Sequence, residues 1–500
     1  MIERVKRAGP MTALAIGLLA VPAAAQTNGF VLQCLSARTS GQGCVTRAQE
    51  ATPTGLFRDP AGLVTFDRPA LEVNAAPFVP GLTFENDANA QVSGTRHVFP
   101  LGSVAYVGPR LGRLAWAVGL EPIGGFGSDF ELRHALLSGP ENRPVDYESY
   151  FAAAKVGPAA ALELFPGFSV GASASLVYGQ IRDFRMPFTM PPNSARGLAG
   201  VPQLDPAVYG PLFQQFTELT AYGDSEGYAG VTWTADVGLG YRTDSGFALS
   251  ASWSPERPIE VDGGVATIDM SAQFGQMMQA MVMARAQAYG ETAEQAQAAV
   301  MGQLGAAGLD LQAGMAATYD AATTITLPMT AGVGVRLPVT PAWTLAGEVE
   351  WRRWSQAENV MPFNLTGGAN PNINLMLNGD PADGRFSYPF PLQWEDAWSA
   401  KVGTEYTLAS GNAVRAGYLH GQNPVPDHTV FITFPAISAR AVTAGVTWKV
   451  AGVPVDLSFV HALQEEILGC HHGHLLGSEY NQSRTTMSQN VFTIGTVVSF

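Results

Sequence analysis

Residues 231–241 read Val-Thr-Trp-Thr-Ala-Asp-Val-Gly-Leu-Gly-Tyr. Val231, Trp233, Ala235, Val237, Leu239 and Tyr241 fall on one face of an extended strand, and Thr232, Thr234, Asp236, Gly238 and Gly240 on the other. Successive strand side chains point to opposite faces, so the first set suits lipid and the second a polar lumen. About ten residues is the length that a tilted strand needs to cross a bilayer. The same split recurs at Val442, Ala444, Val446 and Trp448 against Thr443, Gly445, Thr447 and Lys449, at Val455, Leu457 and Phe459, and from Phe492 to Phe500.

Working outward from these segments, fourteen alternating stretches are found: 69–85, 95–108, 113–122, 148–165, 168–182, 227–242, 246–262, 322–337, 342–355, 392–408, 412–421, 436–450, 453–463 and 488–500. An even count fits a single-chain antiparallel transmembrane β-barrel, which also has short turns at one end and long loops at the other. The connections keep that rhythm: 109–112, 166–167, 243–246 and 410–411 are short, whereas 183–226, 263–321, 356–391 and 464–487 are long. The barrel is therefore predicted over 69–500.

Composition agrees. Five hundred residues would make about three soluble domains, but 55 Gly, 34 Pro, 14% charged residues and a mean hydropathy of +0.08 do not resemble such a chain. Forty-six per cent hydrophobic residues excludes wholesale disorder. Beyond the N-terminus no run is apolar for long enough to make a spanning helix. Arg4, Lys6 and Arg7, the apolar Met11–Val21 and then Ala23-Ala24-Ala25 read as a signal peptide over 1–25. The formal charge of −14 becomes about −16 without that segment, which argues against nucleic acid and anionic lipid as partners. Cys34 and Cys44 leave two readings open, a disulfide closing a small loop or two buried thiols. Cys470 is left over.

No catalytic constellation stands out, so neither an enzyme nor a cofactor is expected; His420 and His461 have no partner signal. Cys470-His471-His472-Gly473-His474 is the densest group of ligand-type side chains, but its spacing matches no closed metal site, and no metal is assigned. Alternation places Asp236, Glu348, Glu350, Arg352, Lys401, Glu405, Arg415 and Lys449 on inner faces. There Arg352, Lys401 and Arg415 either hold a substrate carboxylate or simply pair with the acids. The connection 263–321 carries a helical signal, and seven of the 15 Met lie in it. Met277 and Met281 either line an adaptable apolar groove or pack two helices together over the barrel mouth. Finally, the third stretch runs into Pro122-Ile123-Gly124-Gly125. Either the strand ends there, or Pro122, Gly124 and Gly125 mark a break in the wall.

The chain resembles the FadL family of outer-membrane transporters of long-chain fatty acids and hydrophobic compounds. Gly29-Phe30 with Leu32 looks like the family's opening, and Asp59-Pro60-Ala61-Gly62-Leu63 like its Asn-Pro-Ala-Gly-Leu signature, with Asp59 in place of Asn. Gly332-Val333-Gly334, Glu350-Trp351, Gly403-Thr404-Glu405-Tyr406, Arg415-Ala416-Gly417-Tyr418 and Pro424-Val425-Pro426-Asp427 extend the likeness. The resemblance implies a fourteen-stranded barrel plugged by an N-terminal hatch over 26–68, with Phe30 helping to line an inner pocket. Ligand would be captured in an extracellular groove and leave sideways at Pro122–Gly125 into outer-membrane lipid. Fatty acids and aromatic hydrocarbons both fit, and lipopolysaccharide would surround the barrel. Phe500 resembles the C-terminal signal read by the barrel assembly machinery, a transient partner, and a monomer is expected. The rival readings are a general diffusion porin and a surface adhesin or phage receptor working through the long loops.

Overall fold

The computed structural model describes residues 27–49, 52–190, 204–214, 218–310 and 312–500. The predicted signal peptide lies outside them. Among the described residues, fourteen antiparallel strands close into one barrel. They are β1 (Ala70–Asn86), β2 (Phe99–Val107), β3 (Leu114–Leu132), β4 (Val145–Phe165), β5 (Phe168–Met190), β6 (Leu219–Arg242), β7 (Ala248–Ser254, resumed at Arg257–Asp269), β8 (Ala316–Leu327, resumed at Met329–Thr340), β9 (Trp343–Arg353), β10 (Ala397–Thr407), β11 (Ala413–Gly421), β12 (Arg440–Val450), β13 (Val453–Leu468) and β14 (Arg484–Ser499). The ring closes where Ser499 faces Ala70 and Arg484 faces Glu85. Closure removes the open sheet edges that lipid cannot satisfy.

The alternation is realised as predicted. Val231, Trp233, Val237, Leu239 and Tyr241 are exposed on the outside while Thr234 and Asp236 are buried within. The strands β3 to β6 nevertheless run beyond their predicted ends. There the outward side chains are polar, and Arg185 of β5 pairs with Glu148 of β4 at 3.0 Å and Asp224 of β6 at 2.8 Å. The backbone ladder needs no apolar face, so it continues where the lipid-facing pattern stops. The third strand, in particular, does not end at Pro122. Pro122 faces Ala154 and Gly124 faces Ala153, so Ile123 is an inserted residue and β3 passes on to Leu132.

Residues 27–49 and 52–68 fill the lumen as a plug. A short helix, α1 (Ala37–Gly41), packs on β12 and β13. Cys34 and Cys44 are bonded, with their Cα atoms 5.2 Å apart, which resolves the open choice in favour of the disulfide. The plug reaches the wall through glycines. A Cβ at Gly417 would lie 2.2 Å from the Gly43 nitrogen, and one at Gly403 2.3 Å from the Gln42 oxygen. Gly417→Val is therefore expected to unseat this part of the plug without opening the barrel. Trypsin would then cut at Arg38 or Arg47 in the folded variant and not in the parent protein, and identical digestion patterns would contradict the argument.

At the end with the long loops, α2 (Pro206–Phe213), α3 (Ser271–Tyr289) and α4 (Ala293–Ala306) form a helical cap. Thr292 and Gln295 cap α4 reciprocally, side chain to backbone, at 3.3 and 3.0 Å.

Candidate functional site

The wall is irregular at one seam. β2 pairs with β3 over Val104–Val107 against Ala117–Leu120. Higher up, the Thr95 nitrogen donates to the Asp129 oxygen at 2.8 Å. Between these points, residues 96–103 and 121–128 face each other with no ladder pair among the described residues, although β2 stays paired with β1 and β3 with β4. The cause is local: Pro122 offers no N–H, and the inserted Ile123 re-aims the strand. A cavity of about 840 Å³ occupies this window in the wall. Its lining includes the lumen-facing Leu82, Ser128 and Ser149 and the outward-facing Asp129, Glu148 and Arg182, so it spans the wall.

The unpaired edge of β3 is taken up from within. The Gly125 nitrogen donates to the Phe30 oxygen at 3.0 Å, and Val31 pairs with Gly124. A Cβ at Gly124 would sit 2.5 Å from that same oxygen, so only glycine lets the plug backbone come this close. The Phe30 ring then lies at the centre of an aromatic cluster. Ring centroids of Trp354, Phe151, Phe434, Trp394 and Phe126 stand 5.1, 5.7, 6.0, 6.1 and 6.5 Å away. Trp354 is fixed in turn by its indole N–H, which donates to Asn28 at 2.8 Å. From Phe434 the rings continue to Phe431 at 6.2 Å, to Phe390 at a further 5.1 Å and to Tyr388 at 6.0 Å. They end at an apolar cavity of about 510 Å³ lined by Phe184, Met186, Phe363, Leu365 and Phe386 among others.

A second chamber, of about 600 Å³, lies by the plug, where Val31, Ile123 and Leu327 meet Arg47, Arg58, Lys155, Asp236, Glu350 and Arg352. Arg58 donates to the Leu32 oxygen at 2.8 Å, and Lys155 stands 3.4 Å from Asp236. Arg352 pairs with Glu350, yet its Nε and Nη1 have no partner among the described residues. Buried donors left open are costly, and an anionic group arriving in this chamber would satisfy them.

The model of the outer membrane protein transport protein family (OMPP1/FadL/TodX) matches residues 18–500. The chain belongs to the FadL/TodX family. It is accordingly an outer-membrane transport protein of a Gram-negative envelope. Among solved structures, the Pseudomonas putida toluene transporter TodX superposes with a TM-score of 0.66 at 15% identity, covering 94% of this chain and 99% of that one. A Pseudomonas aeruginosa FadL homologue gives 0.64 at 14% identity, with 94% and 100% covered. The Ralstonia pickettii toluene transporter TbuX gives 0.59 at 15%, with 94% and 99% covered. At these identities the likeness is one of fold. No curated protein matches the sequence.

Within this FadL/TodX barrel the sequence-predicted residues separate. Phe30, Pro122, Gly124, Gly125 and Arg352 come together around the window and the inner chamber. Lys401 and Arg415 do not join them: Lys401 pairs with Glu348 at 2.8 Å, and Arg415 with Glu405 at 2.6 Å and Asp456 at 3.1 Å. Lys449 shares the face of the buried Thr443 and Thr447 but lies exposed near the end of its strand. Met277 and Met281 are buried against Tyr209, Val300 and Leu304 in the core of the helical cap. The face of α3 that borders a cavity carries Gln276, Gln279, Ala280 and Met283 instead. Asp59 accepts from the Ala48 nitrogen at 3.0 Å, and Pro60 and Ala61 lie against Gly171 of β5. Among the described residues no His, Cys, Asp and Glu cluster has metal-site geometry; Cys470 is free and half-buried. Sequence reading missed the plug cations Arg38, Arg47 and Arg58, although three bases facing a lumen already credited with Glu348, Glu350 and Glu405 were the available signal.

The loops above the barrel bury three titratable side chains. Glu479 is buried and accepts from the Tyr147 hydroxyl at 2.6 Å; burial pushes its carboxyl up from 4.5 to about 8. His134, 3.8 Å from that carboxylate, and His474, packed on Tyr480, are both lowered by burial from 6.5 to about 4. The raised Glu479 stabilises the loops fully below pH 4.5, and its contribution is lost as pH rises through about 8. The depressed histidines stabilise above pH 6.5 and lose their contribution as pH falls through about 4. Hydrogen-exchange protection of residues 134–138 and 478–483 is therefore expected to peak near pH 6.5 and decline on both sides. A flat profile from pH 4 to 8 would contradict this.

Proposed function

We propose that the protein takes up long-chain fatty acids or similar hydrophobic compounds passively, holding them at the Phe30 cluster and releasing them sideways through the β2–β3 window. The observation that carries this reading is the junction of the two. The ring cluster reaches the wall at Phe30 and Phe126, and the backbone of Phe30 seals the edge of the wall break at Gly125. An apolar solute crosses the polar outer surface poorly, and a path of aromatic walls leading into the bilayer spares it exposure to water. The open Nε and Nη1 of Arg352 favour a cargo with an anionic end, hence a fatty acid over a plain hydrocarbon. In this reading the protein works as a monomer among outer-membrane lipid and lipopolysaccharide.

The test is native mass spectrometry of detergent-purified protein, with extraction of what co-purifies, beside conductance in a planar bilayer. Bound fatty acids with negligible steady conductance are expected. An empty protein with large steady conductance would make it a porin, and co-purified aromatics would move the cargo toward hydrocarbons.

A further inference from the structure

We propose that His97 and Asp129 form a latch across the window, setting how readily cargo passes from the lumen into the bilayer. This rests on the lateral-exit reading above. The two side chains belong to opposite edges of the break, His97 to the segment leading into β2 and Asp129 to β3, and His97 Nε2 lies 2.8 Å from Asp129 Oδ2. Each is tied to its own edge. The His97 ring is 6.0 Å from Phe99, which packs 5.7 Å from Phe78 of β1. Asp129 lies where the two edges rejoin, its carbonyl accepting from Thr95.

The other charged groups lining this cavity are engaged elsewhere. Glu148 pairs with Arg185 at 3.0 Å. Arg182 bonds to Asp183 and lies 4.0 Å over the Tyr150 ring. Asp129 and His97 are thus left to each other. Their side chains are 35% and 49% exposed, so water screens the pair and the contact breaks at low cost. A buried contact would hold the window shut, whereas a half-exposed one can open repeatedly. The pair also stands on the outward side of a cavity that spans the wall, where leaving cargo must pass.

The experiment uses the full protein with Cys470→Ser and the Cys34–Cys44 bond intact. His97→Cys with Asp129→Cys is bridged by a short, reducible thiol cross-linker, and uptake of a fluorescent fatty acid into vesicles is measured. A second protein carries Gly102→Cys with Pro122→Cys, which the Val104–Leu120 register, continued, would place opposite each other at the foot of the window, just past the last ladder pair. Bridging the latch is expected to stop uptake, reversibly, without changing the quenching of Trp354 and Trp394 by bound ligand. His97→Ala alone should speed uptake about twofold to fivefold, the scale of one exposed pair. If the bridge at the foot of the window stops uptake but the latch bridge and His97→Ala do nothing, the latch is overturned and lateral exit stands. If neither bridge slows uptake, cargo leaves elsewhere and both readings fall.

Discussion

Arg47→Ala is expected to convert a barrel with negligible conductance into one that passes ions steadily in a planar bilayer. Arg47 is the plug's principal side-chain anchor in the lumen. Its Nη1 reaches Glu348 at 2.8 Å and Glu350 at 2.7 Å, its Nε reaches Ser252 at 2.7 Å, and the backbone nitrogens of Thr46 and Arg47 both donate to Glu348 at 2.8 Å. Gly332 and Gly334 of β8 make room for it, since a Cβ at either would lie within 2.6 Å of the Arg47 side chain. Removing one member of a buried charge network costs about 3–5 kcal/mol, because the remaining charges stay buried and less well compensated. Here Glu348 keeps Lys401 and Glu350 keeps Arg352, so the loss falls toward the lower end of that range. The barrel, held by its closed ladder, survives such a loss. The plug, held by a short list of contacts, shifts. Arg47→Lys, which keeps the charge but not the forked geometry, should conduct intermittently. A silent Arg47→Ala protein with unchanged resistance to trypsin would mean that the glycine seats, not the charges, hold the plug.

How much of this was legible in the sequence follows from which forces leave a local pattern. Lipid on one side and a filled lumen on the other impose a two-residue period, so the barrel could be read from segments such as Val231–Tyr241. Above the lipid that pressure disappears, and the extension of β3 past Pro122 to Leu132 keeps the two-residue period with its polarity reversed, Phe126, Phe130 and Leu132 inward and Asp129 and Glu131 outward, so a reading that looks for an apolar outer face passes over it. The bulge at Ile123 was foreshadowed by Pro122 and Gly124, but only pairing geometry separates a bulge from a strand end. The aromatic cluster joins Phe30, Phe126, Phe151, Trp354, Trp394 and Phe434, residues drawn from far along the chain, and no window of sequence contains it. The inner charges were placed on the correct face, yet which of them kept open donors depended on partners brought by neighbouring strands as well as by the plug. Arg352 and Lys401 look alike in sequence; Lys401 sits against Glu348, while Arg352 is left with nitrogens facing a chamber.

The sharpest test of the inner pocket is Phe30→Ala, for which the sign of the effect is the informative quantity. A residue that merely lines a pocket loses ligand affinity when truncated. Phe30 does something different: its ring is 1% exposed and sits where five other rings converge, which makes it the occupant of the site. If the cluster holds the ligand as proposed, the ligand must displace Phe30, and the work of displacement is subtracted from its affinity. Truncation leaves an apolar void walled by rings that are anchored independently, Trp354 by Asn28 and Phe126 by the β3 ladder, so the void stays open and receptive to apolar molecules. Fatty-acid binding, followed through Trp354 and Trp394 fluorescence, is therefore expected to tighten by about tenfold or more, since the filled site holds aromatic contacts of about 0.5–1.5 kcal/mol each. Delivery should slow at the same time, because Phe30 returning to its place is what would push cargo toward Gly124 and Gly125. Weaker binding in Phe30→Ala would make the ring part of the pocket wall and place the ligand elsewhere in the cluster. Tighter binding with slower release would make the plug's own side chain the competitor that keeps the carrier from trapping what it carries.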